Sequence, residues 1–282
     1  MKTLFYFLGA VIVTIIVLLC VIPPINSPQI INARQCGEYT RIPKIVHQTV
    51  ESRYVTGHLH ALRLRHARMN PTYTFLLHDD EDQRRLMSEI GGDWLTAYNA
   101  LSIGVARADV WRLAVLYKYG GVYLDWKSGI IKPLHEWVNP DDQFLLSYEG
   151  IRMSIETAQT YGLFKNNIRP PAHGVVNWAL GFEPRHPLLR NILDNICANV
   201  LRLTPGAPPR TTLKEEVLHT TGPMAIASVL AESPNTPNFN SDFAGKIIYQ
   251  HPASKPRELY RRLAKKHYSR VYQPLRIKYS DS

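Results

Sequence analysis

Residues Ile103 to Leu134 read IGVARADVWRLAVLYKYGGVYLDWKSGIIKPL, and this stretch decides how the rest of the chain is understood. Its first half is a helix with almost no solvent side: Val105, Ala106, Val110, Trp111, Leu113, Ala114, Val115 and Leu116 cover nearly every face, the pattern of a helix buried all round. Asp109 and Arg112 stand inside that apolar run, three residues apart and therefore on one face. Gly120 and Gly121 end the helix, because glycine tolerates the positive-φ cap that other residues resist. Val122 to Leu124 then reads as a short strand that delivers Asp125 to its carboxyl end, where open α/β sheets bind ligands. Two readings are open. Asp109 and Arg112 form an ion pair that only fixes helix packing, with Asp125 capping a turn; or three polar groups converge from adjacent elements as a site.

Working outward, 282 residues allow one large domain or two small ones. A formal charge of +10 points to acidic ligands or an acidic surface, nucleic acid among them. Much of that charge sits near the end, where Lys255 to Lys278 carries nine Lys or Arg against Glu258 alone. Such a run is usually a solvated face. At the other end, Leu4 to Ile22 is nineteen residues without a charge, long enough as a helix to cross ~30 Å of hydrocarbon. No small-x-small cleavage site follows it, and Pro28 directly after Ser27 argues against cleavage, so a retained anchor is expected. The expected division is a cytosolic tail over 1–3, a membrane anchor over 4–22, a stem over 23–40 rich in Pro, Asn, Ser and Gln, and a catalytic domain over 41–282. A membrane-anchored lumenal domain removes nucleic acid from the expected partners. Three cysteines make no disulfide framework; Cys36 and Cys197 are either bridged in an oxidising lumen or free.

The domain opens with an apolar strand over Ile42 to Thr49 that contains His47 and Gln48. A helical segment, Asn70-Pro71 and a second strand over Tyr73 to His78 follow. The next residues, Asp79-Asp80-Glu81-Asp82, spell an acid-x-acid pattern, but four acids opening a helix that ends at Gly91-Gly92 are explained by capping and the helix dipole. Further strands are expected over Phe144 to Tyr148 and Val175 to Phe182, and a helix from Pro187 to about Leu203. His219-Thr220-Thr221-Gly222-Pro223 begins another helix, whose free amides favour anions.

Ala108-Asp109-Val110-Trp111-Arg112 running into Gly120-Gly121-Val122-Tyr123-Leu124-Asp125-Trp126-Lys127 resembles the DXD-containing sugar transferases of glycosyltransferase family 32, and Arg107-Ala108-Asp109 resembles their inositol-phosphoceramide mannosyltransferase branch. Ile42-Pro43-Lys44-Ile45-Val46-His47-Gln48, Asn177 before a small-apolar strand, and Thr221-Gly222-Pro223 are similar to other segments of that family. The resemblance implies a GT-A-type α/β fold with a mixed, mostly parallel sheet flanked by helices, and an N-terminal transmembrane helix. It implies a retaining transfer of a hexose from a nucleotide-diphosphate sugar, GDP-mannose or a UDP-hexose, to a glycan or glycolipid hydroxyl at a Golgi or other secretory-pathway membrane. Asp109, Arg112, Asp125 and Lys127 are the expected catalytic positions. His47, Gln48, Tyr123, Asn177, Gly222 and, in the tail, His267 are expected to join Asp109, Arg112 and Asp125 around the donor. The family implies a divalent cation, Mn²⁺ or Mg²⁺, on Asp125 with His267 as a further ligand; the second aspartate of the motif is here Lys127, so either such a cation or none is expected. The same substitution leaves open a catalytically inactive relative that binds glycans or scaffolds other proteins.

Overall fold

The structure is a computed structural model, and it describes residues 25–32, 39–152, 173–232, 243–249 and 273–277. Seven helices are found among them: α1 (Gly57–Met69), α2 (Asp80–Ile90), α3 (Gly92–Ala100), α4 (Gly104–Tyr119), α5 (Pro187–Arg202), α6 (Leu213–Thr220) and α7 (Pro223–Glu232). The strands are β1 (Ile25–Asn26), β2 (Ile30–Ile31), β3 (Ile45–Thr49), β4 (Tyr54–Val55), β5 (Thr74–His78), β6 (Gly121–Leu124), β7 (Gly129–Ile130), β8 (Phe144–Leu145), β9 (Tyr148–Arg152), β10 (His173–Val175), β11 (Ala179–Phe182) and β12 (Ile247–Ile248).

Six of the strands form the central sheet in the order β2-β5-β3-β6-β11-β8. Its middle is parallel, through β3/β5 and β3/β6, whereas β2/β5, β6/β11 and β11/β8 are antiparallel. The sheet is mixed, as expected, but most of its pairings are not parallel. Strand β11 follows the β9/β10 ladder and turns back against β6, antiparallel to it. The expected strand over Val175 to Phe182 is accordingly two, with β10 ending at Val175 and β11 starting at Ala179.

Alternation along the strands fills two layers. Tyr123, Leu180 and Phe182 face α2 to α7, while Val46, Phe75, Val122, Leu124 and Ala179 face α1 and the β7/β12 ladder. Helix α4 is the centre of the first layer, with Ala106, Val110, Trp111, Ala114, Val115 and Leu116 all at 0% exposure. Its junction with β6 is tight. Gly120 has φ +65° and Gly121 φ +101°, and a Cβ on Gly121 would lie 2.7 Å from the Ile45 carbonyl oxygen. At the start of α2, Asp79 accepts from the amides of Glu81 and Asp82 while Asp82 accepts from the Asp79 amide, a complete capping box.

One expectation changes, and one open choice narrows. Residues 25–32, read above as stem, are built into the fold: β1 pairs with β4, and β2 is the edge strand beside β5. Buried Arg63 of α1 holds them, donating to the carbonyls of Pro28 and Gln29, the latter at 2.8 Å, and to Ser27 Oγ at 3.2 Å. Cys197 is free and buried in α5, its thiol pushed up to about 12 by that burial. The anchor at 4–22, Cys36 and His267 lie outside the described residues; among those described, no helix is long and apolar enough to cross a membrane.

Candidate active site

The site is built where α4, β6 and the start of β11 meet α6 and α7. Asp109 and Arg112 project from consecutive turns of α4, and Arg112 Nη2 lies 3.0 Å from Asp109 Oδ1. Both are nearly sealed from solvent, at 3% and 4% exposure. Each carries further partners. Asp109 Oδ1 accepts from Asn177 Nδ2 at 3.2 Å, and Oδ2 accepts from the Thr221 hydroxyl at 2.8 Å. Arg112 donates to the Asn177 carbonyl and, from Nε, to the Ala108 carbonyl at 3.2 Å. Its guanidinium lies over the Tyr123 ring, 4.6 Å from the centroid.

Asp125 completes the group from the end of β6. Its Oδ1 accepts from the Tyr123 hydroxyl at 2.6 Å and stands 3.8 Å from Arg112 Nη2. It is the most accessible member, with 27% of its side chain exposed. One guanidinium therefore sits between two carboxylates, one sealed and one at the surface. Burial raises the Asp109 pKa to about 6 against the pull of Arg112 and Thr221. Burial also works against charge on Arg112, but Tyr123, Asp109 and Asp125 outweigh it and hold its pKa above the ordinary value. Burial likewise carries the Tyr123 phenol well above its usual range.

The other expected positions are distributed around this group. His47 pairs in register with Tyr123 on the adjacent strand and is 1% exposed. Its Nε2 lies 3.1 Å from the Gly120 carbonyl, which can only accept, so Nε2 carries the proton and Nδ1 accepts from His78 Nε2 at 3.2 Å. Gln48 faces the other way, 1% exposed, its Oε1 without a hydrogen-bond partner beside a space of about 10 Å³ that Trp126 and Arg63 also line, roughly one water's volume. Gly222 lies next to Thr221 at the start of α7, its amide bonded to the Val217 carbonyl. Lys127 is exposed on the turn closed by the Ser128 amide and the Asp125 carbonyl, with its ammonium 5.3 Å from the Trp126 ring centroid. Thr221 was not singled out from sequence as a site residue; its only signal was a place beside Gly222.

The donor set does not suit a resident divalent cation. Asp125 Oδ1 is engaged by a phenol and faces a guanidinium, and the next position of the motif is an ammonium. Among the described residues no group of three or more His, Cys, Asp or Glu side chains converges.

Comparison with known proteins agrees with this geometry. Residues 61–145, which contain α4, β6, Asp109, Arg112 and Asp125, match the family model for the glycosyltransferase sugar-binding region containing DXD motif. Inositol phosphoceramide mannosyltransferase 3 of Schizosaccharomyces pombe is 29% identical over 156 residues, covering 55% of this chain and 37% of that protein. Inositol phosphoceramide mannosyltransferase 2 of the same yeast is 28% identical over 202 residues, 70% of this chain and 50% of the relative. The chain thus spans half or less of the length of these relatives. Among solved structures, PaToxG Glycosyltransferase superposes with a TM-score of 0.50 at 16% identity, over 69% of this chain and 71% of that one. The matched region is one found in glycosyltransferases, and the fold is similar to that of a solved glycosyltransferase. Within that class its resemblance is to family 32, the DXD-containing sugar transferases, with inositol phosphoceramide mannosyltransferases among its relatives.

Proposed function

We propose that this chain transfers a hexose from a nucleotide-diphosphate sugar to a glycan or glycolipid hydroxyl, with retention at the anomeric carbon. The observation that carries the reading is the connected Asp109–Arg112–Asp125 group at the carboxyl end of β6, held from behind by Asn177 and Thr221. Asp109 and Arg112 grip donor-sugar hydroxyls, an arrangement that pairs an acceptor with a fork of donors away from bulk water. Asp125, at the surface, meets the ribose. When the bond between the anomeric carbon and the diphosphate oxygen breaks, charge grows on the leaving diphosphate. Lys127, two residues beyond Asp125 and exposed, is the cation to which this reading gives the task of countering it. His47 and Tyr123 form the layer below and keep the group in place. The printed names of the yeast relatives support GDP-mannose as the first donor to try and an inositol-bearing lipid as the first acceptor. An anchor over residues 4–22 and a secretory-pathway membrane belong to the same proposal.

Lys127 also favours a second reading, a glycan-binding relative that does not catalyse transfer. One experiment separates the two. The purified chain is incubated with a series of nucleotide sugars, with excess EDTA and again with Mn²⁺ restored, and nucleotide release is measured beside a Lys127→Ala variant. Release that survives chelation and falls at least tenfold in the variant is the expected result. Release that requires Mn²⁺ would remove Lys127 from its role. No release from any donor would favour the inactive reading.

A further inference from the structure

Asp125 has aromatic neighbours of two kinds, one on each side along the sheet. Towards β3 and β5, Trp126 packs on Val50, Val55, Leu59 and Leu77. Towards β11, Trp178 and Tyr249 lie against each other, ring centroids 5.4 Å apart and planes tilted by 38°. Trp178 is joined to the site through the main chain. The Asp125 amide donates to its carbonyl at 2.8 Å, and its neighbour Asn177 holds Asp109. Tyr249 follows β12 and stands 48% exposed. Ile247 and Phe243 anchor the segment from within, at 8% and 5% exposure.

Topology separates the two sides. The parallel strands β5, β3 and β6 all end at the same edge, and nucleotides bind beyond the carboxyl ends of such strands. Strand β11 runs the other way, so Asn177 and Trp178, just before it, reach that edge on the far side of Asp125. The donor diphosphate needs cations; the Trp178–Tyr249 pair offers uncharged ring faces instead. We propose that Trp178 and Tyr249 seat the acceptor, a neutral cyclic polyol whose C–H face lies on the aromatic pair and whose hydroxyl is turned towards the Asp109–Arg112–Asp125 group. The C–H groups of a pyranose or cyclitol carry partial positive charge, and the face of an aromatic ring is its negative side.

The assignment rests on the transferase reading and is tested separately from it. The full chain is given GDP-mannose, and two rates are measured: nucleotide release without acceptor, and transfer to methyl α-mannopyranoside or myo-inositol. Binding of the same two polyols is followed in parallel by saturation-transfer NMR, which needs no turnover. Tyr249→Ala is expected to lower kcat/KM for the acceptor at least tenfold relative to nucleotide release, mainly through the acceptor KM, with Tyr249→Phe close to the parent chain. Trp178→Leu should act in the same direction. Equal falls in both rates would overturn the assignment, as would an unchanged acceptor KM. If the parent chain turns over no donor, the transferase reading fails alone: saturable polyol binding that Tyr249→Ala removes still supports the seat, and no saturable binding overturns it.

Discussion

At the scale of single residues, the proposed role of Asp109 depends on its protonation. With its pKa raised to about 6 by burial, it is a carboxylate at neutral pH and takes a proton just below. In the proposed reaction only the carboxylate both pairs with Arg112 and accepts from a substrate hydroxyl, so activity should fall about tenfold per pH unit on the acid side of that value. Thr221 works against the shift by donating to Oδ2. Thr221→Val is therefore expected to move the acid limb of the kcat/KM profile to higher pH, at a stability cost of about 1–3 kcal/mol. An unchanged limb in this variant would mean that another group sets it. Asp109→Asn should lose activity at every pH while the fold survives, because the amide is nearly isosteric. Arg112→Ala is harsher. It strands a buried carboxylate and should cost about 3–5 kcal/mol in a melting experiment.

At the scale of elements, strands β3 and β5 hold the adjacent histidines His47, buried, and His78, partly buried, lowered to about 3 and about 4, in both cases first by desolvation. The unfolded chain takes up protons on these residues below about pH 6.5, which the folded chain refuses until much lower. Their contribution to stability is thus lost as pH falls from about 6.5 towards 4, at up to about 1.4 kcal/mol per unit for each. Asp109 acts oppositely between about 6 and 4, since the folded chain protonates it first. Two histidines outweigh one carboxylate, so melting temperature should drop from pH 7 to pH 5, with a shallower slope in His47→Gln. Much at this scale was legible in sequence. The all-round apolar run predicted α4, found over Gly104–Tyr119, and the acids after His78 announced the capping box. Local pattern was enough because each signal lies within one turn of what it specifies. The Thr221–Asp109 bond spans 112 residues, and the Trp178–Tyr249 contact joins two segments through β11 and β12, so no local pattern could announce either.

At the scale of the whole molecule, the least legible feature was the start of the folded unit. Prolines, asparagines and serines over 23–40 read as a stem, and strands of two residues give no periodicity to detect. Their place is set by Arg63, whose guanidinium also donates to the Phe75 carbonyl at 2.9 Å and so ties β2 and β5 to α1. A chain beginning at residue 25 should accordingly be more stable than one beginning at residue 41. Removing 25–32 takes away acceptors from a buried charge, and bonds to charged groups contribute about 1.5–3 kcal/mol each. Equal denaturant midpoints for the two chains would show that Arg63 finds other partners.

The joint between α4 and β6 has a consequence for motion. A Cβ on Gly120 would lie 2.7 Å from both Pro43 Cδ and Pro184 Cδ, and one on Gly121 2.7 Å from the Ile45 carbonyl oxygen, so the backbone there is wedged between β3 and the end of β11. Gly121→Ala should cost about 1–3 kcal/mol for its positive φ alone. A joint without slack makes Asp109, Arg112 and Asp125 parts of one stiff body, whose amides should exchange with deuterated water only when the whole domain opens. Any closing movement over a substrate must then be supplied from the rim, where Lys127 and Tyr249 stand at the surface. On the proposed function, catalysis and breathing would thereby be separated in space: the centre is expected to keep its geometry, and the rim to set the pace at which ligands enter and leave.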